Sequence, residues 1–159
     1  MNTERLEVAH RSIVADLVAK DSDGRIVLLV EFRGGAAEQQ AISDITSYLK
    51  AVKMVIPFAM LVDLEDIQIF QWDGANLSEP ISSLKTAAVL SHYDPEFGSK
   101  RIFEPYLITL VDVWLHDLEF HWKSKTPPAS EQLAAIGLLQ RLEGGTTQTE
   151  VELGSHTLR

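Results

Sequence analysis

Two carboxylates, Asp16 and Glu31, are spaced so that a β-hairpin would bring them together. The segments on either side of Asp23-Gly24 are rich in Val, Ile and Leu, and this dipeptide is a strong hairpin signal. If Asp23 and Gly24 form a two-residue type I′ turn, Asp16 lies opposite Glu31 with both side chains on one face. Opposed like charges destabilise a strand pair, and a cation between them would reverse that interaction. A one-residue slip would move Asp16 to the other face, so the prediction depends on the register.

The residues that follow Glu31 extend this polar group. Arg33 lies two positions further along the same strand and shares its face. After Gly34-Gly35 the pattern predicts a helix over about residues 36–53, with an apolar stripe at 3-4-3 spacing. A neighbouring polar stripe at i, i+4 and i+8 consists of Gln40, Asp44 and Tyr48.

The elements that would position these side chains are two strands over about 13–20 and 26–33, the helix, and a further strand pair. Segments 58–63 and 67–72 are apolar and flank a short polar turn. A strand, a helix and a strand in succession imply a crossover with parallel pairing. The pattern predicts an α/β domain with a mixed sheet of about four or five strands flanked by helices.

The second half of the chain is predicted to be a helical extension. A helix over about 102–122 has a wide apolar face, and Pro127-Pro128 separates it from a shorter helix over about 129–142, with Ser130 as a plausible N-cap. The interpretation is one domain over 1–143, with a core at about 11–73 and a helical part at about 75–143. Residues 144–159 are polar and predicted to be a flexible tail.

Composition excludes several classes of protein. The 159 residues contain no cysteine, so neither a disulfide framework nor a thiolate metal site is possible. The start is charged rather than apolar, and no run approaches the roughly 20 apolar residues of a membrane span. These features predict a cytoplasmic protein without a membrane partner. The net charge of −9, with 14 scattered Lys and Arg residues, counts against tight autonomous binding of nucleic acid.

The order Asp, hairpin turn, Glu-x-Arg and a helix with Gln and Tyr resembles the PD-(D/E)XK nuclease superfamily, in the branch found at the start of type I restriction-enzyme motor subunits. The resemblance covers roughly residues 11–73. Ala15-Asp16 stands where the family has Pro-Asp, and Glu31-Phe32-Arg33 stands where it has Glu-x-Lys. Gln40 and Tyr48 match positions where related sequences often have Gln and Tyr, and residues 58–74 resemble the strand pair that usually comes next.

The resemblance implies a restriction-endonuclease-like fold and a metal-dependent DNA phosphodiesterase. By resemblance, Asp16 and Glu31 would be the metal ligands, and Arg33 would be the catalytic cation, with Gln40 and Tyr48 in supporting positions. Carboxylates suit Mg²⁺, with Mn²⁺ as a possible substitute, and such a metal lowers the pKa of a bound water and stabilises charge on phosphate.

Two departures from the family pattern keep a second interpretation open. Arg33 replaces the family's Lys, and a guanidinium keeps its proton and is a poor base. Lys20 is distant along the strand, and Lys50 or Lys53 would help only if the helix end reached the site. The family's first helix can supply another Glu, for which the candidates are Glu4 and Glu7. The alternative is therefore an inactive interaction or regulatory module that retains the fold. It would use helix 102–122 for a homodimer or another protein partner.

A second polar group is on the predicted helix 102–122. Asp112, His116 and Glu119 share one face, and Asp117 and His121 are spaced i, i+4, which would suit a metal. A solvated polar face opposite the apolar stripe explains these five residues more simply, and that is the interpretation adopted from the sequence.

Overall fold

The computed structural model describes residues 12–155, which form a mixed six-stranded sheet with helices on both faces. The strands are β1 (Ser12–Lys20), β2 (Ile26–Phe32), β3 (Phe58–Val62), β4 (Asp66–Gln71), β5 (Ser82–Lys85) and β6 (Thr146–Ser155). The helices are α1 (Glu38–Ala51), α2 (Thr86–Leu90), α3 (Glu104–Phe120), α4 (Ser130–Ala135) and α5 (Leu138–Leu142), and a 3-10 turn spans Phe97–Ser99. The predicted mixed α/β class is confirmed. Glu4 and Glu7 lie outside the described residues.

The β1–β2 hairpin has the predicted register but not the predicted turn. Leu17 pairs with Val30 and Val18 with Leu29, which is the alignment that the two-residue turn implied. The connection between the strands instead has five residues, and a bulge between Ala19 and Lys20 restores the register. Continued by one residue, this register sets Asp16 opposite Glu31.

The side chain of Asp21 organises the longer turn. Its Oδ1 accepts hydrogen bonds from the backbone amides of Asp23 at 2.9 Å and Arg25 at 3.0 Å. Gly24 has a φ of 83°, a left-handed conformation that glycine adopts without steric cost. The Asp-Gly signal therefore marked a real reversal of the chain, of a different type from the one predicted.

The connection from β2 through α1 to β3 is the expected crossover, and β2 pairs with β3 in parallel from Leu28↔Phe58 to Phe32↔Val62. All other strand pairs are antiparallel, and the order across the sheet is β5-β4-β3-β2-β1-β6. The parallel pair sets the carboxyl ends of β2 and β3 side by side, so residues that follow Phe32 and Val62 are neighbours.

The sheet has six strands rather than four or five because both edge strands are polar and were missed. The β6 segment, predicted to be part of a flexible tail, instead pairs antiparallel with β1. Most side chains over residues 146–153 are exposed to solvent, so this sequence lacks an apolar pattern. Gly145 allows the chain to approach β1 closely just before β6 begins, because a Cβ at this position would collide with the Lys20 carbonyl oxygen. Residues 156–159 lie outside the described part.

Helix α1 covers one face of the sheet. Its buried residues Ala41, Ile45 and Leu49 join a core cluster with strand residues such as Leu29 and Phe70. The predicted helical stripe is confirmed, with bounds two residues shorter at each end. Since the stripe fixes the rotation of the helix, its polar neighbours are turned towards the ends of β1 and β2.

Helix α3 lies against the opposite face of the sheet. Its apolar face is buried in the larger core cluster and consists of Leu107, Leu110, Val111, Trp114, Leu115 and Leu118. The face that the sequence offered to a partner therefore packs within the domain itself. At the ends of the helix, Phe103, Phe120 and Trp122 remain exposed apolar side chains.

The single helix predicted over about 129–142 is two short helices, α4 and α5, separated at Ile136-Gly137. Gly137 has a φ of 84°, which breaks the helical path. Ser130 is not the N-cap. Ala129 occupies that position with a φ of 65°, and the Ser130 hydroxyl donates to the Pro127 carbonyl at 2.6 Å. The double proline thus sets the start of α4 through a local turn.

Candidate functional site

Asp16 and Glu31 meet where β1 and β2 run side by side under α1. The Phe32 amide donates to Asp16 Oδ2 at 3.2 Å, which fixes the Asp16 carboxylate across the strand pair. The Glu31 side chain lies within hydrogen-bonding reach of the Asp16 side chain. Glu31 Oε1 is buried and has no hydrogen-bond partner among residues 12–155. The pair therefore has an unused ligand atom.

The environment of Glu31 favours its protonated form. Burial, followed by the charge of Asp16 and the hydrogen bond to its side chain, raises the pKa of Glu31 from 4.5 to about 8. Two carboxyls this close cannot both ionise at low cost, so Glu31 keeps its proton near neutral pH. A cation would replace that proton by stabilising both ionised groups.

Helix α1 adds Asp44 and Tyr48 to this pair. The charge of Asp44 also raises the pKa of Glu31, and burial followed by the charges of Glu31, Asp44 and Asp16 raises the pKa of Tyr48. Gln40 is exposed and joins the group through Asp44, since its Nε2 donates to Asp44 Oδ1 at 2.9 Å. Asp44 was not predicted as a site residue, although the i, i+4 stripe that it shares with Gln40 and Tyr48 was visible in the sequence.

Arg33 is engaged elsewhere. Its Nε donates to the Ala36 carbonyl at 2.8 Å, and its Nη1 lies 3.2 Å from Asp63 Oδ2. Asp63 follows β3 just as Arg33 follows β2, so the parallel pairing brings them together. The other oxygen of Asp63 accepts from the amides of Glu65 at 2.8 Å and Asp66 at 2.7 Å, which holds the carboxylate rigidly.

The structure thus brings four of the five predicted site residues together and pairs the fifth, Arg33, with Asp63. Within residues 12–155, no Lys or Arg forms an ion pair with Asp16 or Glu31. That includes Lys20, Lys50 and Lys53, the side chains considered as substitutes for the family lysine. Asp63 was missed because its position depends on a strand pairing between distant parts of the chain.

The side chains around Asp16 and Glu31 decide whether a metal ion fits this site. No group of three or more His, Cys, Asp or Glu side chains in the described part of the chain is arranged to hold a metal ion. Asp16 and Glu31 provide two carboxylates, one with a buried unpartnered oxygen. Mg²⁺ usually keeps several waters and takes one or two protein carboxylates together with substrate phosphate. The residues present fit that mode of binding.

The acidic side chains of α3 do not form the predicted solvated face. Asp117 is buried and accepts hydrogen bonds from the Tyr93 hydroxyl at 2.7 Å and the amides of Lys123 and Ser124 at 3.0 and 3.1 Å. It therefore closes the loop after α3. Glu119 is also buried, whereas His116 stays partly exposed, 3.6 Å from Asp112. The apolar and polar positions were too closely interleaved for the sequence to separate them.

Comparison of the chain with protein-family models, with curated proteins and with solved structures finds no significant match in any of the three.

Proposed function

We propose that this protein is a PD-(D/E)XK-type, Mg²⁺-dependent DNA phosphodiester hydrolase or a degenerate relative of one. The observation that carries the proposal is the Asp16–Glu31 pair. Its carboxyls converge from adjacent strands, and Glu31 Oε1 is buried without a partner among the described residues. Convergence of this kind is unfavourable unless a proton or a cation occupies the pair.

Because Arg33 forms an ion pair with Asp63, we expect a positive charge between Asp16 and Glu31 to come from a cation outside the chain. A guanidinium between Asp16 and Glu31 would supply the missing positive charge from within the chain, but the Arg33 contacts lead to Asp63 and Ala36. The pair is thus left with Glu31 in an environment that raises its pKa to about 8. A divalent cation must displace that proton, so its apparent affinity rises with pH up to about 8.

The roles of the individual residues follow from their contacts. Asp16 and Glu31 would hold Mg²⁺, which when bound lowers the pKa of a water and stabilises charge on phosphate. Tyr48 keeps its proton because burial and the nearby carboxylates raise its pKa, so its hydroxyl remains a donor for a phosphate oxygen. Gln40 restrains Asp44 beside the pair. Arg33, half-exposed at the end of β2, offers a fixed positive charge to a DNA backbone.

A second candidate is an inactive interaction or regulatory module with the same fold. The ion pair between Arg33 and Asp63 favours it, because a paired guanidinium is a poor substitute for the lysine that the family places beside its metal. The net charge of −9 also disfavours strong DNA binding. In that case the carboxylate pair retains its proton, and the domain acts through protein contacts, as a homodimer or with another partner.

Calorimetric titration with Mg²⁺ and Mn²⁺ separates the two candidates. Wild type is expected to bind one divalent cation at millimolar or lower concentration at pH 8, and Asp16→Asn to lose that binding. Asp112→Asn is the matched control, since it removes a carboxylate beside the other buried glutamate. The metal-site proposal would be rejected if Asp16→Asn bound the cation as wild type does, or if wild type gave no heat of binding at 10 mM Mg²⁺ or Mn²⁺.

A plasmid-nicking assay then tests the chemistry. The hydrolase proposal expects Mg²⁺-dependent nicking by wild type, abolished in Asp16→Asn and increased in Arg33→Lys, which restores the family cation. Metal binding without nicking in either wild type or Arg33→Lys would favour the inactive module.

A further inference from the structure

Glu119 lies on α3 beneath the start of β6. Asp112 is two helical turns earlier on the same face, and its Oδ1 accepts a hydrogen bond from the Thr147 hydroxyl of β6. The Gly144 amide donates to the Glu119 carbonyl at 3.0 Å. These two bonds lie at either end of the same short stretch and hold residues 144–147 against the face of α3 that carries Asp112 and Glu119. Gly145 presses this stretch against the Lys20 backbone.

The Glu119 carboxyl is a buried group without hydrogen bonds. The residue is 3% exposed, and neither Oε1 nor Oε2 has a partner among the described residues. Burial, followed by the charge of Asp112, raises its pKa from 4.5 to about 8. An ionised carboxylate held there would lack both water and a compensating donor, which is among the most unfavourable environments for a charge in a protein.

Within residues 12–155, no Lys, Arg or His forms an ion pair with Glu119. The charged and titratable groups on the surrounding turns and elements are Asp112, His116 and Asp117 on α3, His121 just after it, Lys20 on β1, Arg141 and Glu143 at α5, and Glu150 and Glu152 on β6. Within the described residues, Glu143 lies 3.8 Å from His121, and Asp112 is the group whose charge acts on Glu119. That charge is negative and adds to the cost of ionisation.

We propose that Glu119 is a proton-controlled latch for β6. While its carboxyl is protonated, the stretch 144–147 stays closed over α3. When the proton is lost, the carboxylate gains hydration by opening of this stretch, and the β6 edge of the sheet loosens. The device is independent of the Asp16–Glu31 site and uses a group to which the proposed function assigns no role.

Amide hydrogen exchange of the full-length chain between pH 5.5 and 9, corrected for intrinsic rates, tests the latch. In wild type the opening constant of β6 amides should rise roughly 50-fold from pH 6 to 8 and only about twofold more by pH 9, as expected for a group with these two pKa values. Glu119→Gln, which mimics the protonated side chain, should give a flat profile. Glu143→Gln is the matched control and should retain the rise. β5, the opposite edge strand, should show a smaller change than β6 in wild type.

Two results would overturn the proposal. One is β6 exchange that is independent of pH, or protected to the same degree as the central strand β3, since either means that the stretch does not open locally. The other comes from carbon-13 titration of the Glu119 carboxyl in the wild-type chain, which needs no variant. A midpoint near the ordinary 4.5 would mean that the closed state does not hold the proton.

Discussion

In the described part of the chain, an aspartate raises the pKa of a glutamate at two places, Asp16–Glu31 on neighbouring strands and Asp112–Glu119 on a single helix. In both, burial and then the nearby aspartate raise the pKa of the glutamate to about 8. Asp16 acts on the pKa of Glu31 through both charge and hydrogen bonding, whereas Asp112 acts on Glu119 through its charge and has Thr147 and His116 as its own neighbours.

This difference separates a group that can take a ligand from one that can only take a proton. At the first pair two carboxyls converge beside a third carboxylate and a tyrosine, so a cation would find several oxygen donors. At the second, both oxygens of Glu119 face a covered interior. Similar pKa values thus arise from arrangements with different chemical uses.

Detaching β6 should change the surroundings of Glu119 more than those of Glu31. Gly145→Ala places a Cβ 1.9 Å from the Lys20 carbonyl oxygen, so the backbone must shift. The free energy of unfolding should fall by about 3 kcal/mol, measured by urea denaturation, and Glu119 should titrate closer to an exposed glutamate. Gly98→Ala is the control, because nothing lies within 4 Å of its added Cβ. Equal stability of the two variants would contradict the tight contact.

Neutralising Glu119 should remove much of the pH dependence of stability. A carboxyl with a pKa raised from 4.5 to about 8 stabilises the folded state fully below pH 4.5, and that contribution is lost as the pH rises towards 8. The free energy of unfolding of Glu119→Gln, measured relative to that of wild type, should therefore increase by on the order of 3 kcal/mol as the pH rises from 5 to 8. Glu31→Gln should show a gain of similar size, because the pKa of Glu31 is raised over the same range. Parallel curves of unfolding free energy against pH for wild type and Glu119→Gln would refute this expectation.

A divalent cation should distinguish the two pairs directly. With a dissociation constant of about 1 mM, 10 mM Mg²⁺ stabilises the folded chain by about 1.4 kcal/mol. Thermal unfolding at pH 8 should show this gain in wild type and Glu119→Gln but not in Glu31→Gln. A gain that disappears in Glu119→Gln would assign the cation to α3 instead.

The smallest expected effect comes from releasing Arg33. Asp63→Asn keeps an oxygen for the amides of Glu65 and Asp66 but removes the charge that holds the guanidinium. The partly exposed ion pair contributes at most about 1 kcal/mol to stability. If Arg33 then turns towards Glu31, carbon-13 titration should show a lower midpoint for the Glu31 carboxyl. An unchanged midpoint would mean that Ala36 alone holds Arg33 in place.

The local pattern predicted the register and the amphipathic helices because both depend on residues close in the sequence. Asp16 was placed opposite Glu31 although the turn was wrong, since a bulge at Ala19 and Lys20 compensates for the odd loop length. The 3-4-3 stripe of α1 fixed which side carries Asp44 and Tyr48. The periodicity of apolar residues is sufficient to predict strand register and helix rotation, because both are determined by which face is buried.

Features that depend on contacts between distant segments were not predicted. Asp63 captures Arg33 only because β2 and β3 are parallel neighbours, and nothing in the polar sequence of β6 indicates that it pairs with β1. Without β6 in place, Glu119 was assigned to a solvated face. These errors have one cause, which is that the neighbours of a side chain on an edge strand or a helix come from elsewhere in the chain.

The pairing of β1 with both β2 and β6 also sets an expected order of folding. The β1–β2 hairpin closes a five-residue loop, whereas Ala15 meets Val151 from the far end of the described chain. Closing the longer loop costs more chain entropy, so we expect the hairpin to form first and the outer edge of β1 to remain unpaired until late. During that interval the edge is open to strands of other molecules, so the docking of β6 removes a site at which the folding chain can aggregate.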